Sequence, residues 1–230
     1  MRSSTGRFLV TPTATAKAAI TERLLLEVDE NGKKVSGTTR PFGELTAHLA
    51  VYQKRGDVEA VVHAHPPNAT AIACSGRNII ETPFIAEAVV SIGDRIPLIP
   101  FTRPGDETAL VLANHAADFD AVLFANHGVF TWGKDLEQAF LRMELVEHLA
   151  TIAIRAESLG GVRQLPNDVI KKLLEKRAKA GLGQAADKAN ESARRVIACA
   201  PAPHADVSVR NESELDLASI IREEIRRVLP

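Results

Sequence analysis

The chain has little cysteine, few aromatic residues and no long apolar run. Cys74 and Cys199 are its two cysteines in 230 residues. Two thiols build neither a disulfide framework nor a thiolate metal set, and they read as the reduced thiols of a cytoplasmic protein. Aromatic residues make up 4% of the chain, with one tryptophan and one tyrosine. No stretch approaches the roughly 20 apolar residues of a membrane span, and Met1 to Gly6 lacks the apolar core of a secretion signal. The formal charge is −1, which leaves no electrostatic footprint for nucleic acid or an anionic membrane. What is present is ordinary for a globular protein: 45% hydrophobic and 25% charged residues, enough for one large α/β domain or one domain with an appendage.

Local patterns give a coarse order of elements. Residues 7–11 and 24–28 read as strands, with a short helix over 16–20 between them and a turn at Asp29–Gly32, where Asn-Gly tolerates positive φ. Residues 33–41 read as a polar loop. From 44 to 55 the period becomes helical, with Leu45, Leu49 and Tyr52 on one apolar face. Glu44 stands at the start of that helix, where a carboxylate suits the positive end of the dipole. Further helices are expected over 68–74, 107–115, 135–158 and 167–180, the last with Asn167 as its cap. The longest carries Leu136, Phe140, Met143, Val146 and Leu149 as its core stripe.

Two strand ends carry histidine. Ala60, Val61 and Val62 form a buried strand that delivers His63 and His65, which project to the same face because they lie two apart. Pro66 and Pro67 end the strand. Two such imidazoles can hold a divalent metal with a third ligand from elsewhere, or can merely flank a turn. Ala121–Ala125 is a continuous apolar strand that delivers Asn126-His127-Gly128, and His127 supplies the third ligand. His48, His115 and His148 fall within helical patterns and read as packing or surface residues.

Glu44, eighteen residues, His63-x-His65 and then Asn126-His127-Gly128 before a long helix resemble the class II aldolase/adducin family over about residues 8–175. The resemblance implies an α/β fold of three layers, α/β/α, with a central, mainly antiparallel sheet, and a homotetramer with active sites between subunits. It implies that His63, His65 and His127 hold one Zn²⁺ per subunit, that Glu44 is the catalytic acid/base, and that the metal polarises a carbonyl and stabilises an enediolate. Glu44, where the epimerase branch has Asp, favours the aldolase branch. Thr11-Pro12-Thr13-Ala14 resembles the family's Thr-Pro-Thr-Gly phosphate loop, so Thr11, Thr13 and Gly43 are candidates for binding the phosphate of a sugar-phosphate substrate.

Three departures qualify this. The aldolase tyrosine that protonates product falls on Phe84, while Tyr52 reads as core, so the proton donor is unassigned and Glu87 is a weak candidate. The family's two serines before the glutamate are Phe42 and Gly43. Met1-Arg2 aligns with the end of the family's Gly-Asn-x-Ser-x-Arg segment, as expected of a shortened N-terminus.

Three regions follow: a catalytic domain over 1–182, a linker rich in alanine, proline and polar residues over 183–212, and an amphipathic helix over 213–230. In that helix Leu217, Ile221, Ile225 and Val228 share one face. It either packs back on its own domain or serves the role of the encapsulation peptides it resembles, which bind shell or cargo proteins of bacterial microcompartments. The sequence therefore reads as a zinc-dependent aldolase that cleaves a ketose 1-phosphate such as L-fuculose 1-phosphate to dihydroxyacetone phosphate and lactaldehyde. Its expected location is the cytoplasm, inside a microcompartment if the tail binds a shell. The alternatives are a decarboxylase, dehydratase or epimerase of the same superfamily, and a non-catalytic adducin-like scaffold.

Overall fold

The computed structural model describes residues 1–183. The tail helix and nearly all of the linker read from the sequence lie outside them. Seven strands and six α-helices follow the order β1 (Phe8–Val10), β2 (Leu26–Val28), β3 (Lys34–Ser36), α1 (Leu45–Lys54), β4 (Ala60–Ala64), α2 (Pro67–Ser75), α3 (Ala86–Ser91), β5 (Leu98–Ile99), α4 (Asp106–Ala116), β6 (Ala121–Phe124), β7 (Gly128–Gly133), α5 (Leu136–Glu157) and α6 (Asn167–Lys179). The strands form two sheets, β1-β2-β3 and β4-β7-β6-β5, in which every pairing is antiparallel except β5 with β6.

Strand alternation builds the three layers. Val122 and Phe124 of β6, with Phe130 and Trp132 of β7, point to one face and pack with Leu49, Val51 and Leu112 of α1 and α4. Ala121, Leu123 and Val129 point to the other face, against Ala69, Ile72, Met143, Val146 and Leu149 of α2 and α5. Met1 and Arg2 link the sheets: Leu9 donates to the Met1 carbonyl at 2.8 Å, and the Arg2 amide donates to the Glu59 carbonyl at 2.7 Å.

Several sequence expectations need correction. Residues 33–41 are not wholly a loop, since Lys34–Ser36 pairs with β2 as an exposed edge strand. Its alternation is hidden because all three side chains face solvent. Asn167 is the first helical residue of α6, and Pro166 holds the cap position without a side-chain bond. The stripe of α5 divides: Met143, Val146 and Leu149 are buried, while Leu136 and Phe140 are about half exposed (50% and 51%). Ala139, Ala150 and Ala153 complete the buried face, where small side chains let the helix lie close to the sheet.

Asp120, just before β6, joins the layers. Its buried carboxylate pairs with Arg55 beyond α1 at 3.0 Å, with Arg142 of α5 at 2.8 Å and with Arg177 of α6. Arg55 also grips Asp57 at 2.6 Å. Burial pulls the Arg142 guanidinium down to about 10 despite Asp120, so the charge there depends on its acidic partner. Replacing Asp120 with Asn leaves the buried Arg142 and Arg177 guanidiniums without a counter-charge and Arg55 with Asp57 alone. The expected loss is about 3–5 kcal/mol of unfolding free energy, read from urea denaturation, and a change below about 1 kcal/mol would contradict it.

Candidate metal centre

The β4–β7 ladder assembles the centre. Its register pairs His63 with Phe130 and Ala64 with Val129, so that His65, one residue past β4, comes opposite Gly128. The turn between β6 and β7 then places His127 at the same end of the sheet. That turn is tight: Asn126 adopts a left-handed φ of 56°, which asparagine tolerates better than most residues. The His127 amide donates to the Phe124 carbonyl at 3.1 Å.

The structure brings His63, His65 and His127 together. Their ring centroids lie 4.8, 4.9 and 5.0 Å apart, and one nitrogen from each falls within 4.8 Å of the others. His63 Nδ1 lies 2.9 Å from the Val129 carbonyl. As its proton donates there, the Nε2 lone pair is left for a cation. His63 Nε2 and His65 Nε2 are 3.1 Å apart, close to the roughly 3.3 Å that two nitrogens subtend at a tetrahedral zinc with 2.0–2.1 Å bonds. Three imidazoles with one exposed member fit a divalent cation that keeps an open coordination position, as catalytic sites do. The described residues thus form a possible three-histidine metal site whose metal identity the donor set alone does not fix.

The surroundings favour the neutral imidazoles of His63 and His127. Burial, opposed by the Val129 carbonyl and helped by the two neighbouring imidazoles, lowers the His63 pKa to about 3. Burial and His65 lower that of His127, against the charge of Glu44. The Glu44 charge thus acts on His127 electrostatically, although its carboxylate is not grouped with the three clustered imidazoles. Glu44 sits at the N-cap of α1 without a side-chain cap bond, so the carboxylate is not committed to the helix end.

His63 stacks on Phe130 with centroids 4.0 Å apart. His48 meets Phe42 and Phe130 edge-on behind it, and His48 Nε2 is buried without a partner among the described residues. The sequence reading left His48 as packing and did not connect it with the centre.

The other candidates divide. Thr11 is half-buried and Thr13 and Gly43 are exposed. The Thr13 amide donates to the Arg40 carbonyl at 2.9 Å, and Pro12 bridges Pro41, so the threonine loop does lie beside the segment that leads to Gly43 and Glu44. Ala14 has a left-handed φ of 53°, where the resembling loop carries glycine. Tyr52 is core as expected, its hydroxyl accepting from the Val61 amide at 3.0 Å. Phe84 packs at the margin of the α5-side core, and Glu87 is exposed in the first turn of α3.

Two outcomes are expected. A Cβ at Gly128 would collide with His65 Cδ2 and lie 2.6 Å from the Ala64 carbonyl oxygen. Gly128→Ala should therefore displace His65 and cost about 1–3 kcal/mol, seen as a lower melting temperature with weakened zinc retention in dialysis. The second concerns pH. His63 titrates near 3 in the fold against an ordinary value of 6.5, so the folded chain holds fewer protons between these values. Stability of the metal-free protein then falls as pH drops from 6.5 toward 3. His63→Asn should flatten that slope in urea titrations at several pH values, and an unaltered slope would refute the assignment.

Residues 1–154 match the family described as the class II aldolase and adducin N-terminal domain. The chain is 37% identical over 152 residues to 3-oxo-tetronate 4-phosphate decarboxylase of Escherichia coli (strain K12), covering 64% of this chain and 70% of that protein. It is 33% identical over 156 residues to L-fuculose phosphate aldolase of Haemophilus influenzae, covering 66% and 69%. Among solved structures, YgbL from Escherichia coli superposes with a TM-score of 0.69 at 32% identity, over 75% of this chain and 84% of that one. An L-fuculose 1-phosphate aldolase superposes with a TM-score of 0.67 at 30% identity, over 73% and 78%. The chain belongs to the class II aldolase and adducin family.

Proposed function

We propose that this protein is a metal-dependent carbon–carbon lyase acting on a phosphorylated sugar derivative, with decarboxylation of 3-oxo-tetronate 4-phosphate or a close analogue as its reaction. The observation that carries the reading is an open three-histidine cluster, with the charge of Glu44 acting on His127, in a chain that has phenylalanine at position 84. This reverses the order of the two reactions expected from the sequence. The 37% identity to the decarboxylase, against 33% to the fuculose phosphate aldolase, supports the reversal.

A divalent cation at His63, His65 and His127, with zinc best suited to an all-imidazole set, would act as a Lewis acid on the substrate's carbonyl and adjacent hydroxyl oxygens. In decarboxylation the C1–C2 bond of the 3-oxo acid breaks, its electron pair passes into the C2–C3 enediolate, and CO₂ leaves. C2 then takes up one proton. Aldol cleavage of a ketose 1-phosphate generates a similar enediolate, but it also requires a base to remove a hydroxyl proton as the aldehyde departs. A chain with Phe84 in place of a phenol has one proton carrier fewer, and decarboxylation is the reaction that needs fewer. Glu44 takes the remaining role, delivering the proton to C2 after reloading from solvent. Thr11, Thr13 and Gly43 would receive the phosphate.

Exposed Leu136 and Phe140 on α5 suit burial between subunits of a homotetramer. Residues 213–230, which lie outside the described residues, are proposed to bind microcompartment proteins. No helix among the described residues is long and apolar enough to cross a membrane.

Aldol cleavage of L-fuculose 1-phosphate is the second reading, supported by the 33% identity to a fuculose phosphate aldolase and favoured over epimerisation by glutamate rather than aspartate at position 44. The test is to load the chain with zinc and measure CO₂ release from 3-oxo-tetronate 4-phosphate beside aldehyde release from L-fuculose 1-phosphate. CO₂ release should dominate, and Glu44→Gln should lower kcat about 10²–10⁴-fold with metal content unchanged. Aldehyde without CO₂ would restore the aldolase, zinc binding without either product would favour a dehydratase or epimerase of the same superfamily, and absence of metal would favour a scaffold.

A further inference from the structure

Helix α2 touches both arms of the metal centre. Its N-terminus follows His65 through Pro66 and Pro67. Its Ala73 carbonyl accepts the amide of Asn126, the residue before His127, at 3.2 Å. The position of α2 is therefore transmitted to two of the three imidazoles.

The start of α2 poses a problem that its own sequence does not solve. Proline occupies the cap and the first helical position, so no cap side chain is available. The next amides, of Asn68 and Ala69, have no acceptor within the helix, and Ala69 is fully buried. Both are satisfied by one carboxylate from α5. Glu147 Oε1 accepts from the Asn68 amide at 3.0 Å and from Asn68 Nδ2 at 2.8 Å. Glu147 Oε2 accepts from the Ala69 amide at 2.8 Å. Thr151 steadies the arrangement, its Oγ1 accepting from Asn68 Nδ2 at 3.0 Å and donating to the Glu147 carbonyl at 2.9 Å. An ionised acceptor at the positive end of a helix makes such bonds strong.

We propose that Glu147 is a positioning residue for the metal centre, anchoring α2 so that His65 and His127 meet at cation-binding distance from His63. The proposal rests on the reading that the three histidines hold a cation. Glu147 does not touch the centre and acts through α2. His63 is held separately by Val129 and Phe130, so loss of the anchor should loosen two ligands and spare the third.

The experiment uses the full 230-residue chain as wild type, Glu147→Gln and Glu144→Gln, an exposed neighbour on the same helix as control. Zinc affinity is measured by chelator competition, the coordination of Co²⁺ by its visible absorption, and the fold by circular dichroism. Glutamine keeps the shape but has one acceptor oxygen, so Glu147→Gln should weaken zinc binding about tenfold or more and alter the Co²⁺ spectrum in a folded protein. The control should leave both unchanged. An unaltered affinity and spectrum in Glu147→Gln overturns the proposal even if its melting temperature falls, because a purely structural role predicts that result. If Glu147→Gln does not fold, Thr151→Val removes the hydroxyl's bonds to Asn68 and to the Glu147 carbonyl but keeps the Glu147 carboxylate on the α2 amides. A smaller loss of affinity with a shifted spectrum then supports the proposal, and an unchanged spectrum overturns it. A wild type that binds neither cation overturns the metal-centre reading and this proposal together. A wild type and Glu147→Gln that bind equally overturn this proposal alone.

Discussion

The antiparallel ladder between β4 and β7 is the constraint on which the centre depends. It sets His63 against Phe130 and brings the exit of β4 beside the turn into β7, so histidines 64 residues apart in sequence converge on one point. A slip of one residue would turn His63 to the opposite face of the sheet. The register is secured on both faces by alternating burial: Phe130 and Trp132 are committed to one core and Val129 to the other. The hydrophobic cores and the metal centre are thus two results of the same pairing.

Around the centre, rigid and open components are separated. His63 is inward, stacked on Phe130 with its Nδ1 engaged by a backbone carbonyl, while His65 is exposed. A cation held between them would have a protein side of fixed imidazoles and a solvent side free for substrate. That asymmetry suits the proposed carbon–carbon lyase reaction, which leaves an electron pair beside a carbonyl. On the proposed chemistry the stabilising machinery would stay constant while the departing group changes, and the residues around the open side would decide between CO₂ and an aldehyde.

Much of this was legible in the sequence because the signals were local. The β-branched run before His63, the apolar run before His127 and the spacing of Leu45, Leu49 and Tyr52 each sit within one element. The structure places the three histidines together, as the strand ends suggested. What escaped was non-local or without periodicity. Glu147 reads as one more charge on an amphipathic helix, since its partners are 78 and 79 residues away. Asp120 reads as the polar end of a strand. Strand β3 was missed because it is exposed throughout. The division of the α5 stripe could not be seen either, because helical period identifies a face but not which portion of it the sheet reaches.

The grouping of Arg55, Arg142 and Arg177 on Asp120 has a consequence for how such a chain can diverge. Each arginine comes from a different segment; Arg55 has Asp57 as a second partner, but Arg142 and Arg177 are tolerable in the core only while the Asp120 carboxylate is present. A lineage cannot discard the acid first without stranding two cations and leaving the third on Asp57 alone. It must remove the arginines before the acid, or relocate the acid in the same step. Surface loops around the open side of the metal centre carry no comparable debt. Asp120, Arg142 and Arg177 are therefore tied to one another in any divergence of this chain, in a way that the residues around the open side of the centre are not.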